Sequence, residues 1–295
     1  MHIFAYYNYQ ILFMKIDKIK NILGEPYYEN EFGLIYNMDC IEGLKKISSV
    51  KIDSTITSPP YNIGKEYEKI LELDKFINWL AEIGELIFNA TKIDGSFLFN
   101  VGYLEVDNKG RAVPIPYLLW DKMKFYLHQE IIWNYGAGVS AKKYLSPRNE
   151  KVLWYVKDKD NFTFNLDNIR DPDVKYPNQK KNGKLRCNTI GKNPSDVWQI
   201  AKVTSGANRS SVERMPHPAQ FPEDLIKRLT LGFTNPEDLI LDPFMGSGTT
   251  AKVAMTNNRK FLGFEIREDY CNTIKKRLEL TIKEMEIEKA TLKLF

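Results

Sequence analysis

Leu239-Ile240-Leu241-Asp242-Pro243-Phe244-Met245-Gly246-Ser247-Gly248-Thr249-Thr250 joins a short apolar run to two closely spaced glycines. The first four residues read as a buried strand that ends on an acid, and Thr249 to about Thr256 reads as a helix. A strand, a Gly-x-Gly turn and a helix N-terminus aim backbone N–H groups at one point, as a nucleotide-like ligand requires. Gly246 and Gly248 permit the close approach and the unusual φ angles of such a turn. Phe261 to Glu265 reads as the next strand, and Glu265 lies 23 residues beyond Asp242, near the distance at which an acid binds ribose hydroxyls. A P-loop is excluded, because no Lys follows Gly248. The third position of a dinucleotide fingerprint is Ala251, which that pattern permits.

Outward from this loop, apolar runs alternate with helical spacing. Strands are expected at Leu34–Tyr36, Ile52–Thr57, Ser96–Val101, Glu130–Asn134 and Val152–Val156. Helices are expected at Cys40–Ile47, from Asp74 to about Asn89, at Val113–Lys124, at Pro222–Leu231 and from Asp269 to about Leu294. Alternation of this kind predicts an α/β fold with a mostly parallel sheet. From Lys157 to about Met215 the periodicity fails, and Asn, Lys, Pro and Gly dominate. A loop of that length inside a compact domain is usually functional.

A second segment carries chemistry. Ser58-Pro59-Pro60-Tyr61 follows the Ile52–Thr57 strand. Two prolines fix φ and remove two N–H donors, so the chain must turn and its carbonyls are held outward as acceptors. An amine on an aromatic base is a poor nucleophile, because its lone pair is shared with the ring. The Ser58 hydroxyl and the Pro59 carbonyl can orient its two N–H bonds and aim the lone pair at an electrophile. Tyr61 offers a flat face for a flipped-out base. The bland alternative is a proline-stiffened turn, but the C-terminal end of a strand is where open α/β sheets place ligands.

The chain has 295 residues, 43% hydrophobic and 27% charged, with a net charge of +4. Such a length buries a sizeable core, and no apolar run approaches the ~20 residues that span a membrane. Residues 1–13 are aromatic and apolar without a basic start, fit no targeting class, and are expected to be dispensable, with Met14 a natural start. Cys40, Cys187 and Cys271 are scattered, which argues against a disulfide framework or a zinc site and for a reduced, cytoplasmic protein. From Lys157 to Arg214 there are 12 Lys and Arg against 7 Asp and Glu. The positive surplus is therefore concentrated there, which suits a polyanion contact, although charge alone favours an ordinary solvated loop region. His217, beside two prolines, and His128 are read as structural, and Trp133, Trp154 and Trp198 as packing residues.

With both segments placed, the chain resembles the S-adenosylmethionine-dependent DNA amino-methyltransferases, in particular the β-class with permuted motif order. The likeness covers most of residues 34–279. Asp242–Thr250 resembles the cofactor motif and Ser58–Tyr61 the catalytic motif. His217-Pro218-Ala219-Gln220-Phe221-Pro222 and Asp196-Val197-Trp198 resemble two further family elements. The resemblance implies a class I methyltransferase-like (Rossmann-like), circularly permuted fold with a seven-stranded mixed sheet and an inserted target recognition region. It divides the chain into an N-terminal extension (1–33), a catalytic half (34–138), a recognition region (139–212, including one or two core strands), a cofactor half (213–280) and a helix end (281–295).

The same resemblance implies a cofactor site of Asp39, Cys40, Phe221, Asp242, Pro243, Phe244, Gly246, Ser247, Gly248, Thr249 and Glu265. It places Glu265 on the ribose and Asp39 near the adenine. Catalysis is implied for Ser58, Pro59, Pro60 and Tyr61, with no metal. The implied partner is double-stranded DNA, with Lys180, Lys181, Lys184, Arg186, Arg209 and Arg214 as candidates for its contacts. A cognate restriction endonuclease and a homodimer are compatible with it, and a membrane is not. Ser at the first catalytic position favours cytosine N4 over adenine N6. An RNA or protein-glutamine methyltransferase and a silent DNA-binding module are the alternatives. Cytosine C5 methylation is set aside, because none of the three cysteines follows a proline as that family's nucleophile does.

Overall fold

The computed structural model describes residues 15–65, 70–136, 140–203 and 213–292; the expectation for residues 1–13 lies outside them. Residues 15–23 are helical (α1). The elements that follow are β1 (Tyr28–Asn30), β2 (Gly33–Asn37), α2 (Cys40–Lys46), β3 (Ile52–Thr57), α3 (Leu73–Ala90), β4 (Thr91–Val101), β5 (Tyr103–Val106), β6 (Gly110–Pro114), α4 (Ile115–Leu119), β7 (Tyr126–Asn134) and β8 (Asn149–Val156). The second half holds β9 (Lys180–Lys181), β10 (Lys184–Leu185), β11 (Val197–Gln199), α5 (Glu223–Phe233), β12 (Leu239–Asp242), α6 (Thr249–Thr256), β13 (Lys260–Glu265) and α7 (Glu268–Leu292).

One sheet runs in the order β1-β2-β13-β12-β3-β4-β8-β7-β11. Its middle, from β2 to β4, is parallel, whereas β8 is antiparallel to both β4 and β7. The expected seven strands are the central seven of these nine. The two additional strands, β1 and β11, are three-residue edge strands too short to show a period.

All six residues of β3 and all four of β12 are buried, as in a parallel sheet covered on both faces. Leu239 and Leu241 point into one core with Leu80, Ile83 and Ile87 of α3. Ile240 points into the other, with Leu225 and Leu229 of α5 and Ile274 of α7. This alternation locks the register, since a one-residue slip would exchange the two sets. Ile19 is fully buried in the first core, so the helix over residues 15–23 packs on the domain.

The helix expected over Val113–Lys124 is reduced to Ile115–Leu119. Val113 and Pro114 instead complete a β5–β6 hairpin, with Leu104 opposite Val113. The Asp94-Gly95 turn signal marks an irregularity inside β4 rather than its start, since the β3–β4 register shifts between Ile52 and Ser54.

The strand ends decide where a ligand can sit. From β12 the chain crosses over α6 to β13 on one side; from β3 it crosses over α3 to β4 on the other. The sheet order therefore reverses between β12 and β3, which leaves a crevice beyond their C-terminal ends. Antiparallel β8 begins at that same edge, with Glu150 opposite Trp133 and Lys151 opposite Val101.

Candidate active site

Asp242 closes β12 and is 2% exposed. Thr57 Oγ1, at the end of β3, donates to its Oδ1 at 2.6 Å, and the Phe244 N–H donates to the same oxygen at 3.1 Å. One carboxylate thus joins the glycine loop to the strand that carries Ser58. Burial pushes its carboxyl up to about 6, against these hydrogen bonds.

Gly246 and Gly248 both lie in the left-handed region, at φ +53° and +76°. A Cβ on Gly248 would meet Ile274 Cγ2 at 2.9 Å, so no larger residue fits where the loop enters α6. Glu265 receives the Gly246 N–H on Oε2 at 2.8 Å and the Arg267 N–H on Oε1 at 2.9 Å. Burial raises its carboxyl as well. Asp39, after β2, caps α2 by accepting from Ile41 N (2.9 Å) and Glu42 N (3.2 Å). Burial pushes the Cys40 thiol up to about 12, so it is a neutral wall rather than a nucleophile.

These groups enclose a cavity of about 330 Å³. It is lined by Asp39, Cys40, Phe221, Asp242, Pro243, Phe244, Gly246, Ser247, Thr249 and Glu265 on one side, and by Ser58, Pro59, Pro60 and Tyr61 on the other. The two expected clusters are therefore walls of one space. Gly248 turns the chain into α6 behind it. Phe244 rests against Trp79 at 5.6 Å between ring centroids, a lining residue for which the sequence offered only a helical period. His217 also lines the cavity, edge-on to Tyr270. Its Nδ1 accepts from Ala219 N at 3.2 Å, and burial lowers it to about 4, so the ring is neutral.

Sequence reasoning missed what supports the two walls. Arg277 of α7, 5% exposed, donates to the Ser247 carbonyl (2.9 Å), Thr249 Oγ1 (3.0 Å) and Glu223 Oε1 (2.8 Å). It clamps the glycine loop from the terminal helix, on which no site residue was expected. Arg277→Met would leave Glu223 to Lys252 alone, which bridges the same oxygen at 2.8 Å, and would release the loop. It is expected to cost about 2 kcal/mol in urea unfolding, the worth of lost charge-assisted hydrogen bonds.

On the other wall, Tyr61 lies against Gly102, where a Cβ would come within 2.9 Å of Tyr61 Cε2. Ser58 Oγ is 3.1 Å from Tyr61 Oη, which donates to Glu150 Oε2 at 2.9 Å. Asn100 Nδ2 reaches both Tyr61 Oη (2.6 Å) and Glu150 Oε2 (2.8 Å), and Lys202 donates to Glu150 Oε1 at 2.7 Å. The one local signal for Asn100 is a polar residue inside the otherwise apolar run Phe97–Val101, and it was not read; Glu150 and Lys202 carried no signal.

The nucleic-acid candidates lie elsewhere. Lys180, Lys181 and Lys184 are exposed on the β9–β10 hairpin, which Asn182-Gly183 closes with two positive φ angles. Arg186 extends that hairpin and donates to Gln179 Oε1 at 3.2 Å. Arg214 is exposed, and Arg209 lies outside the described residues. Among the described residues no cluster of His, Cys, Asp and Glu could hold a metal, and no helix is long and apolar enough to cross a membrane.

A family model described as DNA methylase matches residues 52–276. The type II methyltransferase M.ScaI of Streptomyces caespitosus is 56% identical over 90% of this chain and 87% of its own length. The DNA adenine methyltransferase YhdJ of Escherichia coli is 35% identical over 86% of this chain and 85% of its own. Among solved structures, PvuII DNA methyltransferase, titled cytosine-N4-specific, superposes with a TM-score of 0.66 at 23% identity, covering 85% of this chain and 87% of that one. The M1.HpyAVI complex with S-adenosylmethionine has a TM-score of 0.56 at 26% identity, covering 83% of this chain and 98% of that one.

Proposed function

The chain belongs to the DNA methylase family, and from that premise we propose that it methylates the exocyclic N4 amine of cytosine in double-stranded DNA. It would serve as the modification enzyme of a restriction–modification pair. One observation carries the amine reading: the Ser58–Tyr61 turn and the Asp242–Thr250 loop face each other across one cavity.

S-adenosylmethionine is the cofactor, and when bound it supplies a methyl group activated by a sulfonium centre. The residues present fit it. Asp242 and Glu265 line the cavity as two buried carboxylates, which suit a cationic ligand with ribose hydroxyls. Glu265 would hold the ribose, Asp39 the adenine end, and the Phe244–Thr250 loop with Phe221 the methionine part. Opposite them, Ser58 Oγ and the Pro59 carbonyl orient the amine, while Tyr61 stacks the flipped base. Holding the nucleophile in line supplies most of the rate. Ser58 is no strong base, and the reaction needs none at the moment of attack.

Lys180, Lys181, Lys184, Arg186, Arg209 and Arg214 would hold phosphates, with affinity that falls steeply as salt rises. Cytosine rests on Ser58, the residue that favours N4 in the family this chain resembles. Adenine N6 is the second reading, favoured by the adenine methyltransferase relative. Nucleoside mass spectrometry of DNA treated with the protein separates them. N4-methylcytosine is the expected product, and N6-methyladenine alone would overturn the choice of base while leaving the amine chemistry intact.

A further inference from the structure

Ser58, Tyr61, Asn100, Glu150 and Lys202 form one connected chain of hydrogen bonds. All five line the cavity, and the chain runs from Ser58 to a cation, Lys202. Chemistry sets the donor direction along it. An ionised Glu150 only accepts, so the single Tyr61 hydroxyl hydrogen goes to Glu150 Oε2 at 2.9 Å. The 3.1 Å contact between Ser58 and Tyr61 must then have Ser58 as donor. With its one hydrogen committed to Tyr61, Ser58 Oγ presents lone pairs to whatever occupies the cavity.

We propose that this chain carries away the proton that the target amine must lose, with Glu150 as its terminal acceptor. The inference rests on the amine-methylation reading. The nitrogen forms its bond to the methyl carbon as the carbon–sulfur bond breaks, and sulfur keeps that electron pair. The nitrogen, now cationic, passes one N–H proton to Ser58 Oγ. Ser58 passes its own proton to Tyr61 Oη, and Tyr61 passes its own to Glu150 Oε2. The products are a neutral methylated amine and a protonated Glu150, which returns its proton to water after product release.

The Ser58-to-Tyr61 and Tyr61-to-Glu150 hops each span a hydrogen bond already made, within the reach that proton transfer needs; the first hop needs only the amine seated against Ser58 Oγ. Ser58 is never left as an alkoxide, so its weakness as a base is no obstacle. Lys202 beside Oε1 and Asn100 beside both Tyr61 and Glu150 hold the chain in register.

The test is single-turnover methylation of unmodified plasmid DNA by the full-length protein, at saturating labelled S-adenosylmethionine. Glu150→Gln and Tyr61→Phe are each expected to slow methyl transfer about 100-fold, with cofactor affinity unchanged. Because they interrupt one path, the double variant should be little slower than either. Glu150→Ala should be partly restored by formate, which a merely structural role would not allow. Wild-type rates in Glu150→Gln, additive losses, or no response to formate would each overturn the path. A wild-type protein that labels no base amine would overturn the amine reading itself, and the path with it.

Discussion

Asp242→Asn is expected to weaken S-adenosylmethionine binding at neutral pH by about 10- to 100-fold, the worth of a charge-assisted contact. The reason is the state of the free site. Asp242 and Glu265 are both buried in the cavity wall, and burial raises both carboxyls. A cationic ligand interacts best with an ionised Asp242. Since that carboxyl sits at about 6, cofactor affinity should rise as pH increases through about 6. Asn has nothing to titrate, so its profile should be flatter over the same range. Equal pH profiles for wild type and variant, measured by calorimetry, would remove Asp242 from the cofactor's charge balance.

Stability should move the opposite way. Between the ordinary carboxyl value of 3.8 and the folded value of about 6, the folded protein holds a proton on Asp242 that the unfolded chain has released. Stability from this group is therefore present at the acidic end of that window and declines as pH rises through it, by about 3 kcal/mol. Asp242→Asn should lose that decline. On the proposed role, the same residue opposes folding and would favour binding above pH 6. A site optimised for folding alone would hold a neutral residue there.

Much of the fold is legible in the sequence itself. β12 and β13 are short, largely apolar segments ending on acids, β3 is a β-branched stretch ending before two prolines, and the residues at each of these C-terminal ends line the cavity. What was not legible has identifiable physical reasons. The β5–β6 hairpin places Val113-Pro114 opposite Tyr103-Leu104, and a proline pair near 114–116 reads equally well as a helix start. The β9–β10 hairpin was announced by Asn182-Gly183, the strongest short-range hairpin signal, but its strands are charged and carry no alternation of their own. Arg277, Glu150 and Lys202 reach the site from an exterior helix, a strand start and a loop. Each depends on contacts separated by 28 residues or more in the chain, and no local pattern encodes such a meeting.

Ser58→Ala and Tyr61→Ala are expected to lower single-turnover methylation about 100-fold or more while cofactor binding stays within about twofold of wild type. The separation follows from the geometry. Both residues line the cavity on the wall opposite the glycine loop, and neither supports Asp242, Glu265 or Gly246. Removing the Ser58 hydroxyl deletes an acceptor for the amine, and with it the near-attack alignment that converts a poor nucleophile into a positioned one. Removing the Tyr61 ring deletes a stacking surface worth about 1–3 kcal/mol per base, so the flipped state is less populated as well. Tyr61→Ala should therefore also weaken retention of the target base, visible as lower fluorescence when 2-aminopurine next to the target reports flipping. Ser58→Ala should leave that signal near wild type, because it changes the attack and not the extrusion. Full turnover in both variants would show that the Ser-Pro-Pro-Tyr turn is only a stiff end to β3. Loss of cofactor binding in both would show that the two walls are not independent, and that the turn acts through the loop.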